Sequence, residues 1–102
     1  MEKPKTADPE GTKYFRAIFE LKTGTDTTAC AAKRDAYLKK LLSEKKMRAA
    51  GTYVNDPNAG LSILSVADAA AAEAIMKDDP FVKELGATYQ VIQWDPKFGD
   101  FK

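Results

Sequence analysis

The chain has 102 residues, of which 44% are hydrophobic and 30% charged, and its 16 basic and 15 acidic residues leave a net charge of +1. This size and balance predict one globular domain with one core, and they exclude a disordered or collagen-like chain. A charge so near zero also disfavours a nucleic-acid partner, because such proteins carry basic surfaces that neutralise phosphates.

The residue inventory excludes several kinds of chemistry. The chain contains no histidine and a single cysteine, Cys30. Histidine-dependent catalysis and an intramolecular disulfide are therefore impossible, and no cluster of soft ligands exists for zinc, copper or iron. Because the chain also lacks a glycine-rich nucleotide fingerprint, we expect neither a metal nor another cofactor. We interpret Cys30 as a small buried hydrophobe rather than a reactive thiol.

No apolar run approaches the roughly 18 residues that a membrane-spanning helix requires. Residues 1–12 are charged and lack the apolar stretch of a secretory signal, so we expect a cytoplasmic protein with no membrane partner. The prolines, glycine and alternating charges of this segment predict a flexible N-terminal arm, followed by a single domain over 13–102.

The first half of the domain has the order strand, helix, strand. An aromatic and β-branched run over 13–21 predicts the first strand. Potential N-cap residues at Thr25 and Asp26 precede a stretch without glycine or proline, which predicts a helix that ends near Lys46. The segment 47–54 is again typical of a strand.

The second half repeats this order. The turn formers of the segment 55–60 predict a reversal of the chain, and Asp79-Pro80 interrupts the second helix because a proline disfavours helical geometry in the residue before it. The predicted elements here are a strand over 61–66, an alanine-rich helix over 68–76, a helical turn over 81–85 and a strand over 88–94.

Two strand-helix-strand units predict an α+β, ferredoxin-like split βαβ fold (βαββαβ), in which two helices cover one face of a four-stranded antiparallel sheet. The other face of such a sheet must be polar or covered by a partner. Since all four strands contain apolar and aromatic residues, we expect a partner, and a homodimer is the simplest one.

Five short motifs lie in order between Tyr14 and Trp94: the run RDAYLKKL over 34–41, Ala50-Gly51, Asp56-Pro57, the run DPFV over 79–82, and Trp94 itself. In their order and spacing they resemble the YCII-related family. The resemblance implies a dimeric α+β barrel, in which two sheets face one another and each subunit keeps a pocket between the sheet and the first helix.

Members of this family commonly place a histidine three residues before the tyrosine of the first helix, where it is thought to pair with the aspartate of Asp-Pro-Phe. In this chain the two positions hold Arg34 and Asp79. A guanidinium stays protonated in almost any protein setting, so Arg34 cannot abstract a proton. The pair predicts either a structural salt bridge or an anion clamp, because the planar fork of arginine donors matches a carboxylate or a phosphate.

Tyr37 lies one helical turn from Arg34 on the same predicted face, where its hydroxyl can donate a hydrogen bond to a ligand. The alternative is an aromatic core residue. The Lys39-Lys40 and Lys45-Lys46 pairs are interpreted as a solvated helix face rather than a phosphate site. The candidate ligand-binding residues besides Arg34 are two tyrosines and two arginines: Tyr37, Tyr53, Arg16 and Arg48.

Three functions agree with these residues. The first is a YCII-like small-molecule-binding domain, with Arg34 and Asp79 in place of the family pair and a small anionic or aromatic ligand. The second, implied by the resemblance, is a cofactor-independent lyase, isomerase or dehalogenase-type enzyme that uses Asp79 as the base on a small cyclic or phenolic metabolite. The third is a structural or protein-interaction dimer, in which an aromatic tail with Phe98 and Phe101 docks on another protein.

Overall fold

The computed structural model describes residues 11–97, so most of the predicted N-terminal arm and the tail residues Phe98 and Phe101 lie outside the described residues. The elements in chain order are β1 (Lys13–Glu20), α1 (Thr28–Ser43), β2 (Met47–Tyr53), β3 (Asp56–Val66), α2 (Ala69–Asp78), α3 (Pro80–Leu85) and β4 (Thr88–Trp94).

The four strands form one antiparallel sheet in the order β2-β3-β1-β4. At its centre, Phe15 of β1 lies opposite Leu64 of β3 on one side and Gln93 of β4 on the other. This order is that of two interlocked strand-helix-strand units, which confirms the predicted α+β ferredoxin-like fold. No helix of the described residues is long and apolar enough to cross a membrane.

The core lies between the sheet and the helices. The odd-numbered residues of β1, from Phe15 to Phe19, are at most 2% exposed, whereas Arg16 and Ile18 between them are half-buried. This alternation follows from the two-residue period of a strand, which directs one set of side chains toward the helices. Cys30 of α1 is buried in this core, in agreement with its interpretation as a small hydrophobe.

One glycine permits a close contact inside this core. A Cβ atom built on Gly60 of β3 would lie 2.5 Å from Cε2 of Phe19 and in contact with the carbonyl oxygen of Gly51. The ring of Phe19 therefore occupies the space that a side chain at position 60 would need, and Gly60 sets the place of that ring.

The chain reversal predicted over 55–60 is present but misplaced. The chain reverses one residue earlier, at Val54 and Asn55, and Asp56 already belongs to β3. Pro57 is tolerated within the strand because the pairing with β1 begins only at Ala59, so that no ladder bond to β1 requires its missing N–H group.

Helix α1 is shorter than predicted at both ends. Asp26 lies outside the helix, where its carboxylate accepts a hydrogen bond from the backbone N–H of Thr28 at 3.0 Å, and this bond lowers the pKa of Asp26. At the other end Lys45 has a φ of 61°, in the left-handed region, and the N–H of Lys46 donates to the carbonyl of Leu41 at 2.9 Å. A left-handed residue of this kind is a common helix stop, and it ends α1 at Ser43.

Candidate functional site

Arg34 and Asp79 form a buried ion pair. The Nε atom of Arg34 lies 3.1 Å from Oδ1 of Asp79, and its Nη2 atom lies 3.2 Å from Oδ2. Arg34 is 8% exposed and Asp79 only 2%. This two-point geometry uses one edge of the guanidinium, and charge-assisted bonds of this kind are about twice as strong as bonds between neutral groups.

The fold brings the two side chains together from distant parts of the chain. Arg34 lies on the buried stripe of α1 between Cys30 and Leu41. Asp79 lies at the junction of α2 and α3, where its Oδ1 atom also accepts a hydrogen bond from the N–H of Phe81 at 2.9 Å and so caps α3. Each carboxylate oxygen of Asp79 therefore already accepts at least one hydrogen bond.

Two phenylalanine rings enclose the guanidinium. The Cζ atom of Arg34 is 4.5 Å from the ring centroid of Phe19 and 4.4 Å from that of Phe81. The two centroids are 6.0 Å apart and their planes meet at 58°, so the guanidinium lies in a corner between the rings. Cation–π attraction of this kind is strongest where water is excluded, as it is at this site.

Tyr37 ties α1 to the end of α2. Its hydroxyl donates a hydrogen bond of 2.6 Å to the carbonyl oxygen of Ile75. That carbonyl lacks its usual helical partner, because the N–H of Asp79 bonds to Met76 instead as the helix ends. Partial burial, together with the negative charges of Asp78, Asp79 and Glu44, raises the pKa of Tyr37 to about 12.

Beside this hydrogen bond, α1 and α2 border a groove of about 310 Å³. Its apolar lining comes from α1, α2 and the end of β3: Leu41, Val66, Ala71, Ala74 and Ile75. Its polar lining comes from both helices and the segment after α1: Tyr37, Lys40, Glu44, Lys46 and Asp78. Arg34 and Asp79 do not line the groove. Asp79 directly follows the groove residue Asp78 in the chain, and Arg34 lies one helical turn before the groove residue Tyr37.

The charges along the groove are unevenly compensated. Lys46 and Glu44 form an ion pair of 3.3 Å at the end near Val66. Among the described residues, neither Lys40 nor Asp78 lies within ion-pair distance of an opposite charge. The groove thus presents one unneutralised ammonium group on α1 and one unneutralised carboxylate on α2.

The other predicted ligand-binding residues do not join Arg34. Arg16 lies on the sheet face that none of the described helices covers, as its position between Phe15 and Ala17 requires, and Tyr53 lines a shallow depression on the same face. Arg48 is the extra residue at a bulge in β2, where the register shifts. Strand alternation places Arg16 and Tyr53 on the opposite side of the sheet from Arg34, so these two residues do not share a cavity with it.

Sequence reasoning did not identify two features of the site. The strand pattern over 13–21 gives no reason to place Phe19 at the site, although its ring forms one wall of the guanidinium pocket. The family resemblance implies a pocket between the sheet and the first helix, and Lys40 is interpreted as part of a solvated helix face, whereas the groove lies between α1 and α2 and includes both Lys40 and Asp78. No spacing in the chain relates Phe19 to Arg34, whereas the Asp-Pro-Phe motif did place Phe81 beside Asp79.

A family model of the YCII-related domain matches residues 15–95 of the chain. The chain belongs to the YCII-related family. Among curated protein sequences, none matches it significantly. The position at which the family resemblance implies a histidine holds the buried Arg34, whose partner is the aspartate of Asp-Pro-Phe.

Two solved structures from Bacteroides thetaiotaomicron VPI-5482 resemble this YCII-related chain. One is a conserved protein of unknown function described as a candidate oxidoreductase. It has a TM-score of 0.52 and 12% identity, over 84% of this chain and 98% of that one. The other, a candidate antibiotic biosynthesis monooxygenase, has a TM-score of 0.49 and 19% identity, over 91% and 96% of the two chains. At 12% identity the likeness to the candidate oxidoreductase concerns the fold alone.

Proposed function

We propose that this protein is a YCII-like small-molecule-binding domain that holds its ligand in the groove between α1 and α2 and does not use the Arg34–Asp79 pair for proton transfer. The observation that carries the proposal is the engagement of Asp79. Its carboxylate is 2% exposed and accepts hydrogen bonds from both Arg34 and the N–H of Phe81.

A general base must come within hydrogen-bond distance of the proton that it removes. For Asp79 to do so, a substrate would have to displace Arg34 and leave the guanidinium without its counter-charge among Phe19 and Phe81. That rearrangement is costly in a buried site. Catalysis with Asp79 as the base stays a prediction, and the geometry favours binding over it.

The groove has the properties expected of a ligand site. Its volume of about 310 Å³ lies at the lower end of the range for small-molecule pockets, and an apolar floor with a few polar groups is typical of them. The Arg34–Asp79 bond and the Tyr37–Ile75 bond both cross from α1 to the α2–α3 segment. They hold the two walls of the groove at a fixed separation.

The proposal includes a homodimer formed through the uncovered face of the sheet and, as the sequence predicts, a cytoplasmic location. Ile18, Leu61 and Ile63 are only half-buried on this face, and Ile92 is 39% exposed. Leu61 and Ile63 line a shallow depression of about 240 Å³ there. A second copy of the chain would cover these side chains, as an apolar sheet face requires.

A substitution that fills the groove tests the binding proposal. Ala74 is an exposed groove residue of α2, and Ala70 on the same helix is exposed but does not line the groove. We expect that compounds from a fragment library of carboxylates, amines, zwitterions and neutral aromatics shift the amide resonances of groove residues in ¹⁵N–¹H spectra. Ala74→Trp should abolish these shifts, whereas the control Ala70→Trp should leave them unchanged.

Two results would overturn the proposal. One is that no fragment of any charge class shifts the groove resonances. The other is that Ala74→Trp binds the same fragments as the wild type, which would place the ligand elsewhere on the molecule.

A further inference from the structure

We infer that the groove between α1 and α2 recognises a small zwitterion of about dipeptide size, with its ammonium group at Asp78, its carboxylate at Lys40 and its apolar body on the groove floor. The inference rests on the proposed binding function and specifies the chemical class of the ligand. It is carried by the placement of two uncompensated, opposite charges on the two walls of one apolar groove.

The end of the groove near Tyr37 accepts a cation. Asp78 lies one helical turn beyond Ile75, whose carbonyl receives the Tyr37 hydroxyl, and its negative charge helps to raise the pKa of Tyr37, after the larger effect of burial. The Tyr37 hydroxyl donates a hydrogen bond to the carbonyl oxygen of Ile75, but its own oxygen keeps lone pairs that can accept another. An ammonium group at this end would meet the Asp78 carboxylate and this oxygen.

The wall formed by α1 accepts an anion. Lys40 follows Tyr37 by one helical turn, away from Asp78, because α1 and α2 run in opposite directions along the groove. At the far end, Lys46 and Glu44 neutralise one another. The ammonium group of Lys40 is therefore the cation that remains for a ligand carboxylate.

The floor between these charges is apolar. Leu41 and Val66 are at most 9% exposed, and Ala71 and Ile75 lie beside them. The offset between Lys40 and Asp78 along the helices requires a ligand whose two charges are separated by several bonds. A dipeptide with a branched apolar side chain meets this requirement and fits within about 310 Å³.

The test uses leucyl-alanine, its N-acetyl derivative and its C-terminal amide as probes, titrated against the full chain by ¹⁵N–¹H spectroscopy. We expect each derivative to bind about two- to fivefold more weakly than the parent, the range for one exposed ion pair. Asp78→Asn should weaken the binding of leucyl-alanine but not that of the N-acetyl derivative. Lys40→Met should weaken the binding of leucyl-alanine but not that of the C-terminal amide.

Two exposed residues of α1 that lie outside the groove serve as matched controls, Lys39→Met for Lys40 and Asp35→Asn for Asp78. Both should bind leucyl-alanine like the wild type. The zwitterion assignment would be overturned if the wild type bound all three probes with equal affinity. It would also be overturned if the control variants lost as much affinity for leucyl-alanine as the groove variants.

The failure of this inference differs from the failure of the binding proposal. If neutral or singly charged fragments shift the groove resonances and leucyl-alanine does not, only the zwitterion assignment is wrong. If no fragment of any class shifts them, the binding proposal itself is wrong.

Discussion

Arg34 shows how one buried cation can be tolerated in a small core. Removing a guanidinium and a carboxylate from water costs several kcal/mol for each ion, and the pair recovers this only with good geometry and further hydrogen bonds. Here the two-point contact with Asp79, the N–H of Phe81 and the rings of Phe19 and Phe81 supply those interactions. The pair is stable because every partner is in place.

Removal of the cation alone should therefore strongly destabilise the folded protein. In Arg34→Met the Asp79 carboxylate stays buried without a counter-charge, and we expect the free energy of unfolding to fall by about 3–5 kcal/mol. Urea denaturation measures this change. The double variant Arg34→Met, Asp79→Asn should be more stable than Arg34→Met, since it removes the uncompensated charge.

The neighbouring Lys33 provides the control. It forms an exposed ion pair of 3.2 Å with Glu84, and Lys33→Met should lower the free energy of unfolding by less than about 1 kcal/mol. If Arg34→Met lowered the free energy of unfolding as little as Lys33→Met does, this would contradict the structural role of the buried pair.

Tyr37 contributes to stability in a pH-dependent way. Its pKa of about 12 in the folded chain exceeds the ordinary value of 10.0. Between pH 10 and 12 the folded state therefore keeps a proton on Tyr37 that the unfolded state has lost. The contribution is fully present below pH 10 and disappears as the pH rises toward 12.

We expect Tyr37→Phe to be less stable than the wild type by about 1 kcal/mol at pH 7, the cost of a lost hydrogen bond to the Ile75 carbonyl. The difference should shrink between pH 10 and 12. Unfolding free energies measured over this range check the prediction, and a difference that is constant with pH would contradict it.

At the scale of the elements, the position of β3 against β1 determines where the Phe19 ring lies. Gly60 gives that ring its space, and the ring in turn contacts the Arg34 guanidinium. A glycine in a strand thus influences the candidate site through one intervening side chain.

The substitution Gly60→Ala should destabilise the protein by about 1–3 kcal/mol, the usual cost of overpacking a core. The matched control is Gly51→Ala in β2, where an added Cβ meets nothing within 4 Å. Thermal unfolding of the two variants compares them directly. If Gly60→Ala unfolds at the same temperature as Gly51→Ala, the ring of Phe19 is not constrained as described.

For the molecule as a whole, the uncovered sheet face is the feature that predicts assembly. Ile63 lies near its centre, opposite Arg16 of β1, and lines the depression on that face. A lysine there would face the guanidinium of Arg16 on the neighbouring strand and would have to be buried in a dimer interface without a counter-charge.

We therefore expect the wild type to have the mass of a dimer in light-scattering measurements and Ile63→Lys to have that of a monomer. Leu42, 47% exposed on α1, is the control, and Leu42→Lys should leave the mass unchanged. A monomeric wild type would contradict the proposed dimer.

The sequence predicted the succession of elements well because each depends on residues close in the chain. The strand predicted over 88–94 coincides with β4, and the helical turn over 81–85 is α3 apart from its first residue. The reversal over 55–60 was misplaced because turn formers such as Pro57 can also end a strand that extends beyond its neighbour.

By itself the sequence determined that no histidine chemistry occurs and that the family position in α1 carries a permanent positive charge. Only the tertiary structure decided that this charge is buried against Asp79 and two rings, and that a groove opens beside it. The physical reason is the separation of these residues along the chain. Propensity and periodicity depend on near neighbours, whereas Phe19, Arg34 and Asp79 come into contact only when the sheet and the helices pack together.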